Sequence, residues 1–392
     1  MVATSGCSGP KAFSVIPRAR LYSFAALANS PVYLYNTARL LSTDDTSTSC
    51  CPKDSSAKPR AFRKRGSAGF EYQVHPGVVG AIRYTRNHLR NAIEDVGTLN
   101  AQGNEVYTYG NPGSGLVAKS LAYGTSGLVI DYPKPKRNYD SVEISISRRF
   151  TQRWFGAASY TYSRLYGNYS GLSSTDEVAP PSSGEVMGVP QQNDTQSTRP
   201  GTSASRYYDL PYLIYDAQGN VVEGLLATDR PHALRLYGSY LLPFGIEIGG
   251  YFYGASGTPV TTYVNTQDRA SIMVNGRGDM GRTPFLNRTD VMIAHEVRKF
   301  GEGLRLRLEF NAQNIFNQKI STFTFNNYNR YATETSAIPV QSVNFTKPYE
   351  WERLVAGTED ASKPRGAIDP RYGRGEMFTN GFVGRFGIKL IF

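Results

Sequence analysis

Four histidines, His75, His88, His232 and His295, and three cysteines, Cys7, Cys50 and Cys51, are the residues best suited to hold a metal or start nucleophilic chemistry. Their spacing supports neither. No two histidines stand three or four residues apart, and every thiol falls in the first 51 residues, so no zinc-type ligand set can be assembled locally. A Gly-x-Ser-x-Gly elbow is absent, and so is Gly-x-x-x-x-Gly-Lys, which removes the local patterns of a hydrolase nucleophile and of a phosphate-cradling loop. An enzyme, a metal and a cofactor are therefore not expected. Arg277-Gly278-Asp279 could serve adhesion, but it sits within "NGRGDMG", a Gly-rich stretch that reads first as a turn.

The charges that do carry information alternate with large apolar residues. In "LRLRLEFNAQN", Leu304, Leu306, Leu308 and Phe310 share one parity, and Arg305, Arg307, Glu309 and Asn311 share the other. The chain's last residues repeat this: Phe382, Phe386, Ile388, Leu390 and Phe392 face Arg385, Gly387 and Lys389. Period two is the repeat of a strand whose successive side chains point to opposite faces. A charge in the middle of a bilayer costs about 2–4 kcal/mol, so the parity of Arg305, Arg307, Glu309, Arg385 and Lys389 is expected to line a wet lumen and the apolar parity to meet lipid. The terminal run ending on Phe392 reads as an insertion signal, because a final strand has an open edge on which an assembly factor can pair.

The same alternation recurs from about Gly66 onward, in "GSAGFEYQV", "VVGAIRYTRN", "DSVEISIS", "WFGAASYTYS", "HALRLYGSY", "GIEIGGYFYG" and "TDVMIAHEV". Together these predict about nine strands of roughly ten residues, the length of a tilted membrane-crossing strand. Tight turns at His75–Gly77, Phe150–Arg153, Leu242–Gly245 and Phe300–Gly303 alternate with long connections at Asn91–Tyr139, Arg164–Arg230, Thr261–Asn287 and Gln318–Glu376. Short turns on one side and long loops on the other are the asymmetry of outer-membrane barrels. A content of 27 Tyr and 39 Gly with only 19% charged residues suits strands and turns better than helices. No run of 18 apolar residues occurs, which excludes a spanning helix and leaves a spanning barrel open. The net charge of +11 is scattered, apart from "RAFRKRG" at Arg60–Gly66, and forms no recognition stripe, so nucleic acid is not an expected partner.

Residues 1–65 stand outside this pattern, hold every cysteine and show no sustained period. A secretory leader can be drawn on Arg18, Arg20 and "LYSFAALA", with Ala26-Leu27-Ala28 as its cleavage site. Its basic region starts late and its apolar core is short, so the segment reads as a disordered or mis-assigned lead to a barrel region at 66–392.

Over that region the chain resembles the C-terminal barrel of TonB-dependent outer-membrane receptors of the Oar-like group. The resemblance is carried by "AIEDVGTLNAQGNEVYTYGNPGSG", "LATDRPHALRLYGSYLLPFG", "YGASGTPVTTYVNT", "NGRGDMGRTPFLNRTDV" and "LRLRLEFNAQNIFNQK", the last ending in Asn314, Ile315, Phe316 and Asn317. It implies an all-β, transmembrane antiparallel barrel. Complete members have 22 strands around an N-terminal plug, so this chain is expected to supply only part of the wall, with neither plug nor TonB box. The implied role is a transport-related component of the cell outer membrane whose long external loops bind or pass polar solutes such as oligosaccharides or peptides. The implied partners are outer-membrane lipid and lipopolysaccharide, the barrel-assembly machinery, and the TonB system only if a plug is supplied elsewhere. Two alternatives stay open: a surface barrel or adhesin that does not transport, and a soluble carbohydrate-binding β-sandwich.

Overall fold

The alternation in the sequence becomes nine long antiparallel strands. The computed structural model describes residues 61–99, 105–120, 129–171, 207–208, 210–266, 270–300, 304–329, 337–355 and 368–391. The strands are β1 Phe62–His75, β2 Val78–Asn91, β3 Arg137–Thr151, β4 Trp154–Gly167, β5 His232–Leu241, β6 Ile246–Ala255, β7 Leu286–Phe300, β8 Leu304–Gln313 and β9 Val383–Ile391. They pair in chain order, and a two-residue strand at Gly224–Leu225 adds to β4 beside this path. β1 begins at Phe62 rather than Gly66, so Arg63, Lys64 and Arg65 belong to the sheet. Among the described residues β1 and β9 are each paired on one side only, and the sheet does not close on itself.

The tight turns have the backbone that hairpins need. Gln152 and Arg153 both lie in the left-handed region, at φ 49° and 73°, and join β3 to β4 with Thr151 opposite Trp154. Two successive left-handed residues give a turn whose twist matches that of the strands it connects. Between β1 and β2 the left-handed position is taken by Gly77, at φ 83°, which carries no Cβ to clash.

Register keeps the two faces separate across the whole sheet. Phe70 lies opposite Ile82, Ile82 opposite Ile144, and Ile144 opposite Tyr160. At the other end Ile248 lies opposite Ile293, Ile293 opposite Phe310, and Phe310 opposite Phe386. A slip of one residue in any pair would turn that strand's apolar set to the polar side. The apolar face is left bare: Ile144, Phe386 and Leu390 are 54%, 67% and 60% exposed. A soluble sandwich would cover such a face with a second sheet. Among the described residues the other sheets are three two-stranded ribbons, so the sandwich alternative fails on architecture.

The buried core lies elsewhere, in the long connections. One cluster joins Ala92, Val96 and Tyr132 of the first connection to Tyr169, Tyr208 and Ile214 of the second and to Tyr263 and Met273 of the third. The other joins Tyr212 and Leu213 of the second to Val264 and Ile272 of the third and to Ile338, Phe345 and Trp351 of the fourth. The second and third connections contribute to both clusters. The loops therefore fold as one assembly at one end of the sheet.

Candidate functional site

The polar face carries a charge network built by register. Glu247 on β6, Ala294 on β7 and Glu309 on β8 lie in one cross-strand row. Because Ala294 is small, the Arg307 side chain can reach past it. Its Nη2 donates to Glu247 Oε2 at 2.9 Å, and its Nε donates to Glu309 Oε1 at 2.9 Å. Lys389 on β9 closes the chain, with Nζ 2.7 Å from Glu309 Oε2. Each such partly exposed pair contributes up to about 1 kcal/mol, so the network orders the wall more than it stabilises it. Arg385 lies opposite Asn311 and makes no ion pair among the described residues. The backbone of Arg305 keeps the same parity, opposite Ile391, but its side chain lies outside the described residues.

Asn314, Ile315, Phe316 and Asn317 form a clamp at the exit of β8. Asn314 and Asn317 are left-handed, at φ 50° and 51°, a conformation asparagine tolerates better than most residues. The amide nitrogen of Asn314 donates to Gln318 O at 2.8 Å and Asn380 O at 2.9 Å, and its Oδ1 accepts from Gln318 N at 3.1 Å. Its backbone N–H is held by Asp290 Oδ1 on β7, at 2.9 Å. Asn317 Oδ1 accepts from the N–H of Phe382 at 2.9 Å. The two asparagines thus set the point at which the fourth connection re-enters the sheet as β9. Ile315 and Phe316 stay exposed beside them.

On β9 itself Phe386, Ile388 and Leu390 share the bare apolar face, with Phe382 just ahead of the strand. Phe392 lies outside the described residues.

The loop assembly is pinned by groups that local patterns do not reveal. Asp229 is 2% exposed. Its Oδ1 accepts from Leu165 N at 2.6 Å, and its Oδ2 meets Arg282 Nη2 at 2.5 Å, tying the end of β4 to the second and third connections. The Tyr169 hydroxyl donates to the buried Glu94 carboxylate, and Tyr207 donates to Val222 O at 2.9 Å. Both charged ends of the Arg-Gly-Asp stretch are bonded to neighbouring segments of the loops. Arg277 Nη2 donates to Asn168 O at 2.9 Å, and Asp279 Oδ1 accepts from Thr262 N at 2.7 Å. Burial, with the Asp216 charge as a second cause, pushes the Tyr349 phenol well above its ordinary range, and burial likewise raises Tyr215 and Tyr372. The one available sequence signal for this core was the aromatic run 207–215, "YYDLPYLIY", inside a segment otherwise read as loop.

A wide antiparallel sheet with one continuous apolar face, a charged opposite face, short turns at one end and folded loops at the other is the wall of an outer-membrane β-barrel. Comparison with known proteins makes this more particular. The chain is 28% identical over 257 residues to the TonB-dependent transporter Oar of Myxococcus xanthus, a match covering 64% of this chain and 20% of that relative. The matched stretch is thus similar to part of a TonB-dependent transporter, and the chain spans about one fifth of that relative's length. No family model matches the chain. Among solved structures it is similar to the outer membrane transporter YddB from Escherichia coli, at TM-score 0.42 and 11% identity, covering 68% of this chain and 30% of that one. It is also similar to P. aeruginosa FpvA bound to heterologous pyoverdines, at TM-score 0.35 and 13% identity, covering 68% and 24%.

Proposed function

We propose that this chain forms the C-terminal part of a solute-transporting barrel of the outer membrane, and that its four long connections make the solute-contacting surface outside the cell. The observation that carries this reading is the inversion of the core: the loops bury a tyrosine-rich interior while the sheet leaves its apolar face bare for lipid. A loop assembly with its own core holds a surface in place, and pre-organisation of that kind favours binding. The hairpin of Glu94–Leu99 with Glu105–Gly110 projects Tyr109, 76% exposed, from this assembly. Exposed tyrosines suit polar solutes such as oligosaccharides or peptides, since the ring supplies area and the hydroxyl a hydrogen bond. The wall past which solute moves carries Arg307, Glu309, Arg385 and Lys389. A TonB-driven step would have to act through a plug, supplied by residues other than those described. The run Phe382, Phe386, Ile388, Leu390 and Phe392 is proposed as the signal read by the barrel-assembly machinery.

The test is topological. An epitope inserted at Gln218–Gly219, in the second connection, should bind antibody on intact cells, and one inserted at Pro76–Gly77 should bind only after the outer membrane is opened. Exposure of the second epitope alone, or recovery of the chain in the soluble fraction, would overturn the reading.

A further inference from the structure

The apolar face changes character one step from the long connections. Tyr84, Val142 and Tyr162 form a cross-strand row, the last of the apolar band on β2 to β4. Two residues further along each strand, a shift of about 7 Å, the row becomes Arg86, Asp140 and Arg164. The next outward position on β1 is Lys64, opposite His88. Arg86 and Arg164 therefore flank one carboxylate in the row directly above Tyr84, Val142 and Tyr162, and Lys64 stands one row further out.

That carboxylate is already engaged. Asp140 Oδ1 accepts from the Tyr84 hydroxyl at 2.7 Å and lies 3.7 Å from Arg86 Nε, while His88 Nε2 lies 3.2 Å from Asp140 Oδ2 and accepts from Arg86 Nε at 3.1 Å. Arg164 lies over the Tyr166 ring at 4.7 Å and makes no ion pair among the described residues, and neither does Lys64. At the opposite rim the outward cation Arg148 is instead bound into its own turn, over the Trp154 ring at 3.7 Å and donating to Thr151 Oγ1. With Arg86 paired to Asp140, Lys64 and Arg164 leave an excess of positive charge above a lipid-facing band, which matches a ligand with acyl chains below and a phosphate above.

We propose that Lys64, Arg86 and Arg164 form an outward seat for the phosphate of a phosphorylated glycolipid in the outer leaflet. The apolar row receives the upper part of its acyl chains, and Asp140 and His88 hold Arg86 in position. The seat rests on the reading that sets the long connections outside the cell but not on which solute they contact, and the binding measurement below does not depend on topology. A soluble anion would gain nothing from the band beneath.

The test uses the full chain in detergent micelles, titrated with diphosphoryl lipid A and with the same lipid dephosphorylated, and read by native mass spectrometry. The phosphorylated lipid should bind at least about tenfold tighter, and the preference should shrink with salt. Each surface cation near an anionic headgroup is worth about fivefold, so K64Q/R164Q should weaken binding about 25-fold while R148Q leaves it unchanged. Equal binding of the two lipids by the unaltered chain, which needs no variant to fold, would overturn the seat. So would undiminished binding by K64Q/R164Q, an equal loss in R148Q, or full displacement of the lipid by equimolar inorganic phosphate.

Discussion

Replacing Asn314 should loosen the entry of β9 more than any exposed change in the sheet. The side chain is 3% exposed and makes three hydrogen bonds, two of them joining Gln318 and Asn380 across the clamp. At about 1 kcal/mol net for each bond, Asn314→Gly should cost about 3 kcal/mol. Glycine accepts the left-handed φ of 50° without strain, so that figure isolates the hydrogen bonds. Asn314→Ala should lose the same bonds and add about 1–2 kcal/mol for a Cβ held in the left-handed region. Asn314→Asp keeps the oxygen that accepts from Gln318 N but sets its second carboxylate oxygen against Gln318 O and Asn380 O, so it should be less stable than Asn314→Gly. The assay is equilibrium urea unfolding of the refolded chain in detergent, followed by the fluorescence of Trp154 and Trp351. The reasoning fails if Asn314→Gly lies within about 0.5 kcal/mol of the parent, or if the alanine and glycine variants are equally stable.

Asp229→Ala should destabilise the loop assembly by about 3–5 kcal/mol, because it strips a buried carboxylate from Arg282 and from the N–H of Leu165; limited proteolysis of the loops should accelerate while the strands stay protected. Gly257→Ala, between β6 and the third connection, should be poorly tolerated, since its Cβ would sit 1.6 Å from Thr283 O; wild-type stability in the same urea assay would contradict the close approach. The Tyr215, Tyr349 and Tyr372 phenols are raised above the ordinary value of 10.0 by burial. A raised folded-state value gives stability that is present below pH 10 and lost as pH rises further, so the loop assembly should open in strong alkali. Tyrosinate absorbance should then show a late, cooperative fraction, and a single titration at the free-phenol value would refute this.

Much of the sheet was legible because its information is local. Leu306, Leu308 and Phe310 alternate with Arg307 and Glu309 whatever else the chain does, and a strand converts that alternation directly into two faces. The same holds for the turn residues at 76–77 and for the long intervals between strand pairs. The start of β1 was misplaced because Arg63, Lys64 and Arg65 interrupt the alternation and read as a charged lead, yet they pair with β2. Asn314 and Asn317 stood out only as part of a family-like string. Their work became visible once Asn380 and Phe382, more than 60 residues away in sequence, were placed against them.

Sequence alone determined which residues form strands, which parity is apolar, and that long and short connections alternate, because each follows from side chains a few residues apart. Tertiary structure alone decided that Arg307 bridges Glu247 and Glu309 past Ala294, that Asp229 fastens three segments, and that four loops pack into two clusters linked by the second and third of them. Apart from Arg307 with Glu309, those contacts join positions dozens of residues apart through register and packing, and no periodic signal in a single segment encodes a partner in another.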